Sequence, residues 1–143
     1  MTEQNHAIDN AMGWLETVRE YVAGYQGLLS GDVSSVEIEG QAYESASDVV
    51  EAIYQAPLSV LVRDDWRSVT QNELVASPTE FEVLLTTGGP ALRIYGELDE
   101  HSQPETAFLE WQDWGTPWTR LQLESADLAI VKEFASHFYY GEG

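Results

Sequence analysis

The chain is 143 residues long and carries 25 Asp and Glu against 6 Lys and Arg, a formal net charge of −19. That length fits a single domain, residues 1–143, with enough chain to bury a core. A charge of this sign repels phosphates and anionic membranes, which sets aside direct nucleic-acid binding and turns attention to basic protein surfaces.

Residues 2 to 29 read as an amphipathic helix. Ile8, Met12, Leu15, Val18, Val22, Tyr25 and Leu29 recur at steps of three and four, the spacing that stacks side chains on one face. Thr2 is the candidate N-cap, and Glu3 sits in the first turn, where the helix dipole favours an anion. In "VSSVEIEGQAYES", Val36 and Ile38 alternate with Glu37 and Glu39, and Gly40 supplies a turn, which predicts a small hairpin. "SASDVVEAIYQAP" predicts a short helix with Ser47 as cap and Pro57 as its stop. The β-branched run from Leu58 to Arg63 predicts an inner strand.

A polar connection, "DDWRSVTQNELVASPTE", leads to a second hairpin. Its strands, "EFEVLLTT" and "ALRIYGEL", flank the turn signal Gly88-Gly89-Pro90. "ETAFLEWQDW" predicts the next strand. "SADLAIVKEFASHFYY" returns to helical spacing, with Ser125 as cap and Leu128, Val131, Phe134 or Ala135, and Phe138 on its face. The sum is an α+β domain: an antiparallel sheet of about four to six strands, with N- and C-terminal helices packed on one face.

Strand alternation sorts the side chains of that sheet. Phe81, Val83 and Leu85, then Leu92, Ile94 and Leu98, then Ala107, Leu109 and Trp111 share the core side. Glu80, Glu82 and Leu84, then Arg93, Tyr95 and Glu97, then Phe108, Glu110 and Gln112 share the other, joined in this reading by Glu37 and Glu39. Carboxylates two residues apart on a strand lie roughly 6.6 to 6.8 Å apart, the general scale of successive phosphates. A rigid row of them suits a phosphate-binding groove on a basic protein. The ordinary solvated side of a one-layer sheet is the competing reading.

No catalytic constellation stands out. His6, His101 and His137 are scattered, and neither a paired-histidine motif nor a nucleophile elbow occurs. "TTGGPA" lacks the lysine of a phosphate loop. Asp64-Asp65 and Asp99-Glu100 lack calcium-loop spacing and read as solvated loop charge. The absence of cysteine excludes disulfides and thiolate chemistry and fits a reducing cytoplasm. The first residues show neither the basic nor the apolar region of a signal peptide, and no stretch suits a membrane span. The expectation is a cytoplasmic, non-enzymatic protein without metal or cofactor.

"LEWQDWGTPWTRL" gathers Trp111, Trp114 and Trp118 within eight residues. Base stacking would need a basic track, and only Arg120 lies in the segment, beside Glu110 and Asp113. Trp111 shares the core register. Trp114 and Trp118 either close a corner of the core or, left exposed beside Asp113, form a protein-binding hot spot.

"LLTTGGPALRIYGELDE", "FLEWQDWGTPWTRL" and the closing "FYYGEG" resemble a group of small acidic proteins carried by phages, prophages and plasmids. TGGPA, GELD and QDWGTPW segments and a terminal aromatic-Gly-Glu recur in that group. The resemblance spans the chain from Glu80 onward and transfers no catalytic residue. It implies a mobile-element setting, and with it an inhibitor of a host defence nuclease complex of CRISPR or restriction type. Such an inhibitor would act by imitating nucleic acid or by covering a basic surface of a host nucleic-acid-binding protein. The alternative is a small accessory interaction module, with a homodimer left open. Its contact would be the tryptophan corner, and its acidity would serve solubility alone.

Overall fold

Helix α1, Glu3–Ser30, turns its buried face along Ala11, Leu15, Val18, Tyr21 and Val22. Met12 and Leu29, expected on that face, are 44% and 64% exposed. Ala11 and Tyr21 take over the stripe because a straight 3.6-residue repeat drifts across so long a helix. The computed structural model describes residues 3–63, 79–87, 91–113, 117–138 and 140. Thr2, the 64–78 connection, the Gly88-Gly89-Pro90 turn, Trp114 and the closing Gly141 lie outside those residues.

Strands β1 (Val36–Ile38) and β2 (Gln41–Tyr43) pair as a separate two-stranded sheet. Ile38 faces Gln41, so Glu39 and Gly40 alone make the loop, and both have positive φ, 51° and 79°. Two such residues form the type I′ turn that matches strand twist. Gly40 adopts this backbone without penalty; Glu39 does not.

Helix α2, Ala46–Gln55, is capped by Ser45, whose hydroxyl accepts from the Asp48 N–H at 3.2 Å. Ser47, the expected cap, lies inside the helix. The helix buries Val49 and Ile53 and ends two residues before Pro57.

The main sheet runs β3 (Ser59–Arg63), β4 (Glu80–Thr86), β5 (Ala91–Glu97), β6 (Phe108–Gln112) and β7 (Thr119–Arg120), antiparallel and in that order. Among the described residues β3 is therefore an edge strand and not the inner strand that its composition suggested. Leu61 and Val62 are 55% and 46% exposed. A continuous apolar run fits a buried centre and an uncovered edge equally well, and composition does not separate the two.

Helix α3, Ser125–Ala135, buries Val131, Phe134 and Ala135. Its N-cap position is Glu124, without a side-chain cap bond, so Ser125 is the first helical residue and not the cap. α1 and α3 cover one face of the sheet. There Phe81, Val83, Leu92, Ile94 and Leu109 are at most 1% exposed, and Trp111 is 7% exposed. Gly96 belongs to this face because nothing larger fits: a Cβ would lie 2.0 Å from the Thr106 carbonyl oxygen. After α3 the chain folds back on the core. Tyr140 stacks on Phe81 at 4.9 Å and donates its hydroxyl to the Ala135 carbonyl at 2.6 Å.

Candidate protein-interaction surface

The open face of the sheet carries the side chains that alternation assigns to it. Ser59, Leu61 and Arg63 lie opposite Leu84, Glu82 and Glu80. Glu80 pairs in turn with Glu97, and Glu110 lies between Arg93 and Arg120. Register thus brings Glu80, Glu82, Glu97 and Glu110 onto one surface together with three arginines.

Those arginines change what the surface presents. The Arg63 guanidinium donates to both Glu80 oxygens, at 2.6 and 3.2 Å. Arg93 donates to Glu82 at 2.6 Å and to Glu110 at 2.9 Å. Arg120 reaches the second Glu110 oxygen at 3.3 Å. Glu82, Arg93, Glu110 and Arg120 form one alternating chain of charge, and Glu110 is only 6% exposed. Charge at that depth needs a partner, and here it has two.

Aromatic rings frame the same lattice. Trp118 lies 4.2 Å and Tyr95 4.6 Å from the Arg93 guanidinium carbon, and Phe108 lies 3.6 Å from that of Arg120. At these distances the ring faces attract the guanidinium charge and shield part of it from water. Trp118 is half-buried, and its ring lies over the guanidinium that pairs with Glu82 and Glu110. Between this lattice and β3 an open groove of about 640 Å³ is lined by Leu61, Val62, Glu82, Arg93, Tyr95 and Trp118.

Glu37 and Glu39 lie elsewhere. Glu37 is exposed on β1, and Glu39 stands at the hairpin turn, where its carboxylate accepts the Thr17 hydroxyl at 2.7 Å. They share a layer with α1 and α2, and Glu39 borders one hollow with Asp9 and another with Asp48 and Glu51. Asp113, just beyond β6, is partly buried. Trp114 is outside the described residues.

Residues 1–62 contain ten Asp and Glu and a single cation, Arg19. Arg19 is already engaged: it clasps Asp127 of α3 at 2.8 and 2.9 Å and reaches Glu16 at 3.0 Å. Hydrogen bonding to Asp127, with a lesser contribution from Glu16, raises the pKa of Arg19. The acidic layer thus has almost no internal neutralisation, whereas the sheet face is nearly balanced.

Asp99, considered above for a cation, accepts the backbone N–H groups of His101 and Gln103 at 2.8 and 3.0 Å. These bonds, the Gln103 N–H foremost, hold its carboxyl below the usual range. Among the described residues no three His, Asp or Glu side chains converge as metal ligands, and no helix is long and apolar enough to cross a membrane.

Alternation alone missed Arg63 and the part played by Arg93 and Tyr95. A signal was present, since Arg93 and Tyr95 share the parity of Glu97. Pairing them with Glu82 and Glu110 requires the cross-strand register. No protein-family model, curated protein or solved structure matches the chain.

Proposed function

We propose that the protein is a non-enzymatic inhibitor, encoded by a mobile element, that covers a basic, nucleic-acid-binding surface of a host defence nuclease complex in the cytoplasm. The carrying observation is the uncompensated layer: ten acids with only Arg19 in residues 1–62, spread over α1, the hairpin and α2. In this reading the sheet carboxylates are scaffold. Glu37, Glu39, Asp48 and Glu51 supply the charge that meets the partner.

Glu39 strengthens the reading. A non-glycine residue at φ 51° carries strain of order 1–3 kcal/mol, which a purely structural turn would shed through Gly or Asn. Retaining a carboxylate there, tied to Thr17, fixes a negative charge at the tip of the layer.

Immobilised protein should retain a host nucleic-acid-binding protein, identifiable by mass spectrometry. Duplex DNA and rising salt should each release it, because exposed charge is screened over about 8 Å at physiological ionic strength. The variant Glu39→Gln/Asp48→Asn/Glu51→Gln should lose most of this retention while keeping its fold. Retention indifferent to salt, DNA and those substitutions would reject the proposal.

The second reading, an accessory interaction module with incidental acidity, is favoured by one feature, the apolar groove beside Tyr95 and Trp118.

A further inference from the structure

The two edges of the main sheet are unlike. β7 is two residues long, too short to template another strand, whereas β3 runs for five residues. Among the described residues β3 pairs on one side only. Natural edges are blunted by charge, proline, bulges or shortness. β3 has no proline or bulge, its one charge, Arg63, stands at its end and bonds Glu80 of the neighbouring strand, and Leu58, Leu61 and Val62 are 61%, 55% and 46% exposed. On the open face the same strand forms one wall of the 640 Å³ groove. An extended backbone site and a receptor for alternate side chains therefore lie side by side, the arrangement used in strand addition.

Charge selects the occupant. A second copy would bring −19 against −19, a repulsion felt across the whole surface. A basic chain is drawn in by the same field. We infer that β3 receives an extended segment of another protein in which basic and apolar residues alternate. Its apolar side chains lie over Leu61 and into the groove toward Tyr95 and Trp118. Its basic side chains, on the opposite face of the added strand, turn toward the helical layer. The inference rests on the proposed function only for the sign of the partner's charge.

The probe is a capped octapeptide of alternating lysine and valine, titrated into the full chain at low salt and followed by amide NMR shifts. A companion peptide has one central valine replaced by proline, which removes a strand N–H. Binding should perturb residues 58–63 and 80–84 and should be lost with the proline peptide. Leu61→Ser, a change at an exposed site, should weaken it ~10-fold, as expected for a contact residue of a small interface. Equal binding of both peptides, shifts confined to α1 and α2, or no binding at millimolar peptide would overturn the inference. So would sedimentation showing that β3 already joins two copies of the chain. Failure of the acidic-layer reading looks different: Glu39→Gln/Asp48→Asn/Glu51→Gln would leave capture of the host protein intact while the peptide map stayed on β3.

Discussion

The open sheet face sets four carboxylates, Glu80, Glu82, Glu97 and Glu110, against Arg63, Arg93 and Arg120. The layer of α1, the hairpin and α2 has only Arg19 to balance its acids. Both regions are rich in glutamate, yet they present opposite physics. On the sheet Glu80, Glu82 and Glu110 are half or fully buried and the arginines make their burial tolerable, while Glu97, at the end of its strand, is exposed. On the helical layer the carboxylates stand in water, where repulsion is modest and screened. The position of the few cations, and not the density of acids, decides which surface projects a negative field.

The sharpest way to break this contrast is to remove its central cation. Arg93→Ala strips Glu110, 6% exposed, of its closer partner and uncovers Trp118 and Tyr95. Breaking a buried pair from one side costs about 3–5 kcal/mol, so the urea midpoint should fall sharply. Arg93→Met combined with Glu110→Leu and Glu82→Gln should recover most of that loss, because apolar replacement of a buried pair is close to neutral. A small effect of the single change would show that the lattice is ordinary surface charge.

Arg19 provides the paired measurement in the other region. Its side chain is 36% exposed, and its partners Asp127 and Glu16 are 18% and 66% exposed, so water serves more of that contact than it does around Glu110. Arg19→Ala should lower the midpoint by a small fraction of the Arg93→Ala shift, and added salt should shrink the difference further. Comparable losses at the two sites would erase the distinction between lattice and layer.

How far the sequence predicts this contrast depends on what each element encodes locally. The α+β class follows from periodicity, and the inward set Phe81, Val83, Leu92, Ile94, Leu109 and Trp111 follows from period-two alternation. The edge position of β3 does not, because "LSVLVR" contains no information about which strands flank it. The neutralisation of Glu80, Glu82 and Glu110 likewise depends on pairings of Arg63, Arg93 and Arg120 across strands, which are fixed by turns and by the shift between Leu84 and Thr86. The helix caps were missed by a residue or two where serines cluster: Ser45 and Ser47 satisfy the same composition rule, and only Ser45 reaches the Asp48 N–H. For the candidate site, the residue types were legible and their partners were not.

A third test separates stability from function within the acidic layer. Glu39→Asn relieves the left-handed strain, since Asn tolerates that region, but forfeits both the charge and the bond to Thr17. The net effect on stability should be a gain of about 0.5 kcal/mol, measured by urea unfolding, with host-protein retention weakened. A variant that is both less stable and equally retentive would identify Glu39 as an ordinary turn residue.

The smallest expected effect concerns pH, and it belongs to the helical side alone. His137 follows α3, with its ring edge-on to Tyr25 of α1 at 4.6 Å. Its Nε2 is buried and has no hydrogen-bond partner among the described residues. Burial holds its pKa below the ordinary 6.5, opposed in part by the nearby Glu133 carboxylate. A lowered folded pKa means that the unfolded chain takes up the proton first. The contribution of neutral His137 is therefore fully present above about 6.5 and is lost as pH falls below that value toward the folded pKa. The chain also carries 25 Asp and Glu, so the wild-type curve reports more than one group. The informative quantity is the difference between wild type and His137→Phe, which retains the ring contact with Tyr25 and cannot protonate. Between pH 7.5 and 5.5 the wild type should lose thermal stability relative to the variant, while at pH 7.5 the two should lie close together. If the two midpoints run parallel across that range, the imidazole is as well hydrated in the folded protein as in the unfolded chain, and the junction of α1 and α3 does not sense pH.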